Sequence, residues 1–195
     1  MKNVFPAVIE HALTLADVSW QPLLRQALAA LQQAHPAYLS QLQEGAFLPT
    51  EGRLFAAFAQ PLERIEWILV GEGPYPRAAS ATGVCFMDGA VGSLWNPEGG
   101  LSKQVNRATS LRNWIKTLLV AAGACETEQL SPAVMAQCSR QALQPGSGIS
   151  QTLAELQQGL HEAGFLLLNA SLVFREDVPP PQEAKPWLCF LDSLL

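Results

Sequence analysis

The sequence predicts an α/β domain built on a short parallel sheet. Three observations carry that expectation. Residues 67–70 (Trp-Ile-Leu-Val) are uncharged and rich in branched side chains, and they stop in Gly71-Glu72-Gly73-Pro74-Tyr75-Pro76. An uncharged run of strand length reads as a strand buried on both faces, hence central in a parallel sheet. A second apolar run, Leu166-Leu167-Leu168, ends in Asn169 and reads as another strand. Finally, Gly71 and Gly73 let the backbone turn tightly and approach a ligand, while Pro74 fixes one dihedral. That places the turn at the carboxyl end of a strand, where open α/β sheets bind their ligands.

The remaining elements follow in order. Ser19 is read as the N-cap of a helix over 22–31, with Leu24, Leu28 and Leu31 at helical spacing. A second helix starts near Pro36 and carries Leu39 and Leu42. Residues 47–52 form a loop, and 54–58 form a short helix ahead of the first strand. Gly89, Gly92, Pro97, Gly99 and Gly100 mark 88–100 as a loop. Residues 111–120 read as an amphipathic helix with Trp114, Ile115 and Leu118 inward.

Ser131-Pro132 and Pro145-Gly146-Ser147-Gly148 are breaks, and 152–163 is helical until Gly164 ends it before the strand over 165–172. Pro179-Pro180-Pro181 opens a stiff connection, and another apolar helix starts at Trp187. His11 and His35 have no partner at ligand spacing and take surface or packing roles. His161 falls near the last turn of its helix, where a cation suits the helix dipole.

A chain of 195 residues with 49% hydrophobic and 15% charged residues suits one globular domain over 1–195 with a sizeable core. No apolar stretch is long enough to span a bilayer, and the N-terminus lacks a signal peptide's layout, so a cytoplasmic protein without a membrane partner is expected. Cys85, Cys125, Cys138 and Cys189 form no CxxC pair, which leaves no metal site signalled and four free, buried or half-buried thiols. The turn at 71–76 contains no Lys, which argues against a phosphate loop. A net charge of −5 means that any binding to nucleic acid rests on a small local patch.

Taken in order, the motifs resemble those of the uracil-DNA glycosylase family. In that family a strand ending Gly-Gln-Asp-Pro-Tyr-His is followed by a Gly-x-x-Phe segment, here Gly83-Val84-Cys85-Phe86. A later strand ends Leu-Leu-Leu-Asn, here up to Asn169, and runs on to an Arg, here Arg175. The resemblance reaches back through Leu54-Phe55-Ala56-Ala57-Phe58 to Ser19-Trp20-Gln21-Pro22-Leu23-Leu24. It implies a three-layer α/β/α fold with a short parallel sheet. It also implies recognition, and excision by hydrolysis, of uracil or a related base in DNA, by a monomer with no cofactor and no metal.

The same resemblance assigns roles. Phe86 would stack on the base, and Asn169 would read its edge, since one carboxamide offers a donor and an acceptor. Tyr75 would wall the pocket where thymine carries a methyl group. Taken singly, Phe86 reads as a core ring, Tyr75 as a turn aromatic and Asn169 as a strand-end cap. Ser110-Leu111-Arg112-Asn113 matches a Ser-Leu-x-Asn stretch that contacts the DNA backbone in the family, which makes Ser110 a contact candidate beside Lys103 and Arg107. By themselves Lys103, Arg107 and Arg112 read as a solvated helix face.

The sequence also departs from the family. Its water-positioning Asp falls at Gly73 and its His after the Tyr falls at Pro76. Glu72 replaces the Gln and is the carboxylate left in the motif to orient water or stabilise a cationic sugar, though it reads equally as a turn carboxylate facing solvent. A more distant branch of the superfamily has Gly-Glu-Gly-Pro at this point. The family's last two strands, and the loop whose His stabilises the leaving base, have no counterpart before Leu195. The expectation is therefore a domain truncated at its C-terminus, with its last strands missing. A competing expectation is a non-catalytic module that keeps the base pocket without the chemistry.

Overall fold

The two apolar runs pair as parallel strands. In this computed structural model, which describes residues 5–124 and 131–195, β1 (Trp67–Gly71) lies beside β2 (Phe165–Asn169). The register runs from Trp67 opposite Phe165 to Gly71 opposite Asn169. The α/β class with a short parallel sheet is as the sequence predicts. The chain divides into two units, Met1–Cys85 with Ala163–Leu195, and Phe86–Glu162.

Burial separates the two strands. Leu166, Leu167 and Leu168 of β2 are fully buried. β1 is not the doubly buried central strand that its composition suggests: Trp67, Ile68 and Val70 are 59%, 46% and 48% exposed. Its partner among the described residues is β2 alone, so β1 is an edge. Branched and aromatic residues favour any pleated strand, edge or centre, and composition cannot distinguish the two. The Trp67 ring recovers some cover by stacking on Phe165 with centroids 6.5 Å apart.

In the first unit, α1 (Ala7–Leu13), α2 (Gln21–Ala34), α3 (Tyr38–Glu44) and α8 (Pro180–Leu194) surround the core. The stripe Leu24, Leu28 and Leu31 is buried as its spacing predicts, and Ala27 completes it. It packs along α8, which contributes Trp187, Phe190 and Leu194. Phe55 and Phe58, from the 3-10 helix Arg53–Phe58, close the core: Phe55 stacks on Phe190 at 6.2 Å and Phe58 meets Trp20 edge-on at 5.0 Å.

Several boundaries differ from the sequence reading, among them the end of β2 at Asn169 in place of 172. Ser19 does not cap α2. Instead Asp17 caps a short 3-10 turn, Val18–Trp20, that leads into the helix. Its Oδ1 accepts from the Ser19 amide at 2.9 Å and the Ser19 hydroxyl at 2.6 Å, and these bonds hold its carboxyl below the usual range. Nor are the three prolines a connection ahead of the last helix. Pro179 is the N-cap and α8 begins at Pro180, since a proline in the first turn gives up an N–H that has no helical partner anyway.

A buried polar network ties this unit together. Glu183 is 2% exposed, and its carboxylate accepts from the Tyr38 hydroxyl and, at 2.6 Å, from Arg175 Nε. Trp187 Nε1 donates to the Tyr38 oxygen at 2.8 Å, and the Arg175 guanidinium lies over the Tyr38 ring at 5.4 Å. Burial, reinforced by the Glu183 carboxylate, pushes the Tyr38 phenol far above its ordinary range, so it stays a donor. The network joins α3 to α8 and to the segment that leaves β2.

The second unit is helical. It contains α4 (Lys103–Arg107), α5 (Thr109–Ala121), α6 (Pro132–Ala142) and α7 (Leu153–Glu162). Ser102 caps α4, its Oγ accepting from the Val105 amide at 3.2 Å, and Ser131 caps α6 in the same way. Leu111, Ile115 and Leu119 form the buried stripe of α5, while Trp114 and Leu118, expected inward, flank it half-buried. His161 does not act as a dipole-stabilised cation. Burial pushes its imidazole pKa down, and its Nε2 is enclosed with no hydrogen-bond partner among the described residues.

Cys85 and Cys138 are buried and Cys189 is half-buried, all as free thiols; Cys125 lies outside the described residues. No helix among the described residues is long and apolar enough to cross a membrane.

Removing one member of a buried ion pair leaves the other charge uncompensated, which costs about 3–5 kcal/mol. Glu183→Ala should lower the unfolding free energy by that order, read from urea denaturation; a loss under about 1 kcal/mol would show that the network contributes little. The Cys85 thiol pKa is pushed up to about 12 by burial. At about pH 8 roughly one molecule in ten thousand then carries the reactive thiolate. Iodoacetamide should spare Cys85 in the folded protein, alkylate Cys189, and reach Cys85 only after denaturation, as peptide mapping will read.

Candidate functional site

The candidate site is built where β1 and β2 end side by side. Beyond the last ladder pair the two chains stay bonded: the Ala170 amide donates to the Gly71 carbonyl at 2.8 Å and the Ser171 amide to the Glu72 carbonyl at 3.0 Å. Ser171 Oγ then donates to the Val173 carbonyl at 2.8 Å, and Phe174 bridges to Leu48. Arg175 anchors the segment to Glu183. The chain on either side of Asn169 is therefore fixed by backbone bonds and by a buried ion pair.

Gly71 sets the spacing. A Cβ on it would lie 2.8 Å from Cys85 Cβ and 3.0 Å from Asn169 Oδ1, closer than side chains approach. The absent side chain is what lets the Asn169 carboxamide and Cys85 close on the strand end. Cys85 is held there by its amide, which donates to the Leu167 carbonyl at 3.1 Å, and by its thiol, which donates to the Leu69 carbonyl at 3.4 Å. Gly83, two residues earlier, has φ +81°, and a Cβ there would lie 2.1 Å from the Arg53 carbonyl. The Gly-x-x-Phe turn thus requires its glycine.

Asn169 is 3% exposed, and its Oδ1 is set close against the strand end by the missing Cβ of Gly71. Tyr75 is half-buried in the turn after β1, and the Glu72 side chain is exposed. Both belong to the same unit as Asn169 and follow Gly71, the ladder partner of Asn169, in the turn after β1. At Gly73 a Cβ would have ordinary contacts, 3.7 Å from Ser171, so the position has room for a side chain.

The other sequence-predicted residues belong to the second unit. Phe86 is half-buried and its backbone adopts φ +62°, a conformation that a bulky residue seldom takes without support. Its ring stacks on Trp114 with centroids 5.6 Å apart and planes 17° from parallel. Trp114, expected inward from its place in the helical stripe, is the ring on which Phe86 packs. Ser110 is exposed in the first turn of α5, and Lys103 and Arg107 are exposed one turn apart on α4. No group of three or more His, Cys, Asp or Glu suited to a metal occurs among the described residues.

Comparison with known proteins bears on the whole arrangement. No family model matches the chain. Over 69 residues it is 30% identical to a uracil-DNA glycosylase of Corynebacterium efficiens, a match covering 35% of this chain and 29% of that protein. The chain thus matches less than a third of that curated relative's length. The structure resembles that of wild-type UNG from Nitratifractor salsuginis with a TM-score of 0.75 and 32% identity, covering 96% of this chain and 71% of that one. A mutant of the same UNG gives a TM-score of 0.79 and 33% identity, covering 96% and 74%. With nearly all of this chain superposing on about three quarters of a solved relative at that identity, the chain belongs to the uracil-DNA glycosylase superfamily.

Proposed function

We propose that this protein recognises uracil, or a closely related base, in DNA, and that its excision of the base is slow. One observation carries the recognition: Asn169, 3% exposed, stands at the end of β2 where the missing Cβ of Gly71 lets its carboxamide close on the neighbouring strand end. An amide presents one donor and one acceptor, the complement of the edge uracil uses for pairing. A base turned out of its strand would satisfy both groups at once. Tyr75, in the adjacent turn, is assigned the wall that excludes thymine's methyl group. Phe86, in the other unit, is assigned the stacking face by its place in the Gly-x-x-Phe segment. Lys103, Arg107 and Ser110 are assigned to the DNA backbone. The protein is proposed to work as a monomer without metal or cofactor.

The chemistry needs more than recognition. Hydrolysis of the glycosidic bond asks for a group that orients water and for stabilisation of the departing base. Gly73 and Pro76 stand where the family carries an Asp and a His, and neither has a side chain for these tasks. Losing one preorganised group commonly costs roughly a hundred- to a thousand-fold in rate, and losses within one catalytic unit do not simply multiply. Glu72 is the carboxylate in the motif that remains to hold water below the sugar. Its exposure equally favours the second reading, a base-binding module without catalysis.

Two experiments test these assignments. Asn169→Ala should weaken binding of a uracil-containing strand by about 1–3 kcal/mol and leave the thymine counterpart unaffected. Equal weakening on both strands would place Asn169 in the scaffold. Single-turnover cleavage of a uracil oligonucleotide should be slow for the wild type, slower for Glu72→Gln, and faster for Gly73→Asp, which has room for the side chain. Rapid cleavage by the wild type would refute the deficit. Slow cleavage unmoved by Glu72→Gln would remove Glu72 from the chemistry.

A further inference from the structure

Aromatic rings meet in two ways in this protein. In the core of the first unit Trp20 meets Phe58 at 67°, Tyr38 meets Trp187 at 85° and Trp187 meets Phe190 at 78°. Phe86 and Trp114, both in the second unit, lie 17° from parallel, the flattest of the described pairs. An edge-on pair suits enclosure, because the positive rim of one ring points at the negative face of the other. A parallel, offset pair can be continued by a third flat ring.

This pair is held at a cost on both sides. Phe86 has φ +62°, and the other described non-glycine residue with a positive φ is Glu51, exposed in a turn. A left-handed backbone strains a bulky residue and persists only where the surroundings hold it; residues so held gather at ligand clamps. Trp114 Nε1 is buried with no hydrogen-bond partner among the described residues. A leucine or a phenylalanine at this place would bury no donor. Nor does the packing of α5 account for the indole. The buried stripe of that helix is Leu111, Ile115 and Leu119, and Trp114 is half-buried beside it. Its described ring contact is Phe86.

We infer that Trp114 is a positioning residue: its indole holds the Phe86 ring as a preformed platform that favours a flat, unsaturated base over a puckered one. This deepens the base-recognition proposal, and rests on it for the assignment of Phe86 to the base. In this role Trp114 acts through Phe86 and does not itself contact the base. A ring fixed before binding loses no freedom when a base settles on it, so more of the stacking energy appears as affinity. The selection is separate from that made by Asn169. A carboxamide reads the donor and acceptor pattern of an edge, whereas a stack reads the flatness of the ring.

The test uses the full chain and fluorescein-labelled single strands that carry one uracil or one dihydrouracil, with binding followed by anisotropy. Dihydrouracil keeps the pairing edge of uracil on a saturated, puckered ring. The wild type should prefer uracil by about fivefold or more, the lower end of what a base gains by stacking on an aromatic side chain. Trp114→Leu should lower that preference by about two- to tenfold, and Trp114→Phe, which keeps a flat ring, should restore it. If Trp114→Leu does not fold, Trp114→Met, unbranched and without a ring, should show the same loss. In a Phe86→Leu background, Trp114→Leu should cost nothing further, since a residue that acts through Phe86 loses its effect with it. Three results would each overturn the inference: equal binding of both strands by the wild type, a preference unmoved in a folded Trp114→Leu or Trp114→Met, or additive losses in the double variant. Asn169→Ala should weaken both strands alike, because they share one edge. A preference that falls in Trp114→Leu while Asn169→Ala weakens neither strand would uphold the platform and reject the edge-reading site.

Discussion

Everything at the candidate site depends on the register of two strands. Gly71 opposite Asn169 is the last ladder pair of a sheet that has no other described strands. A slip of one residue would turn Asn169 to the opposite face and put Leu168, now fully buried, in its place. The register is held from both sides. Leu166 and Leu168 share one face and belong to the main core, while Leu167 on the other face is equally buried. Past the ladder, bonds from Ala170 and Ser171 to the Gly71 and Glu72 carbonyls carry the alignment into the turn. The pairing thus sets Asn169 opposite Gly71, whose missing Cβ lets Asn169 and Cys85 close on the strand end, with Glu72 and Tyr75 following in the turn.

The energetic support for this arrangement comes mainly from one strand. β2 is enclosed on both faces and tied through Arg175 to a carboxylate that also holds Tyr38. β1 contributes backbone bonds, but its apolar side chains face water to about half their area. An exposed, apolar edge of this kind is a place where chains tend to associate. The polar network around Glu183 has a different consequence. Because it is buried and bonded at both oxygens, it fixes where the segment after Asn169 runs, whatever its net contribution to stability.

Electrostatics divides the labour differently. Lys103, Arg107, Arg112 and Lys116 lie on α4 and α5 in a stretch with no acid among them. In the proposed function a neutral amide would discriminate by hydrogen-bond pattern, and the long-range attraction of DNA would fall to cations. The proposed function assigns recognition to Asn169, Tyr75 and the Gly-x-x-Phe turn, all present, and assigns the departures at Gly73 and Pro76 to the chemistry.

The sequence by itself determined the class of fold, both strands, the stripe of α2 and the glycine-bounded turns. Each of these is written in local periodicity or in a residue with special backbone freedom. Through an ordered set of short motifs it also offered Asn169, Tyr75 and Phe86 as site candidates. Burial was beyond it. The uncharged run at 67–70 looks the same whether a strand is central or at an edge, and only the absence of a second described neighbour makes β1 an edge. The cap ahead of α2 fell to Asp17 in place of Ser19 because its carboxylate reached the Ser19 amide, and α8 began at Pro180 in place of Trp187 with no side-chain cap. His161 became a neutral, enclosed imidazole because packing, not the helix dipole, controls its surroundings. The network of Glu183, Arg175, Tyr38 and Trp187 joins residues up to 149 positions apart, and no local pattern announces such a contact. Tertiary structure alone decided which polar groups found partners, and that Asn169 is buried at the end of β2 beside Gly71.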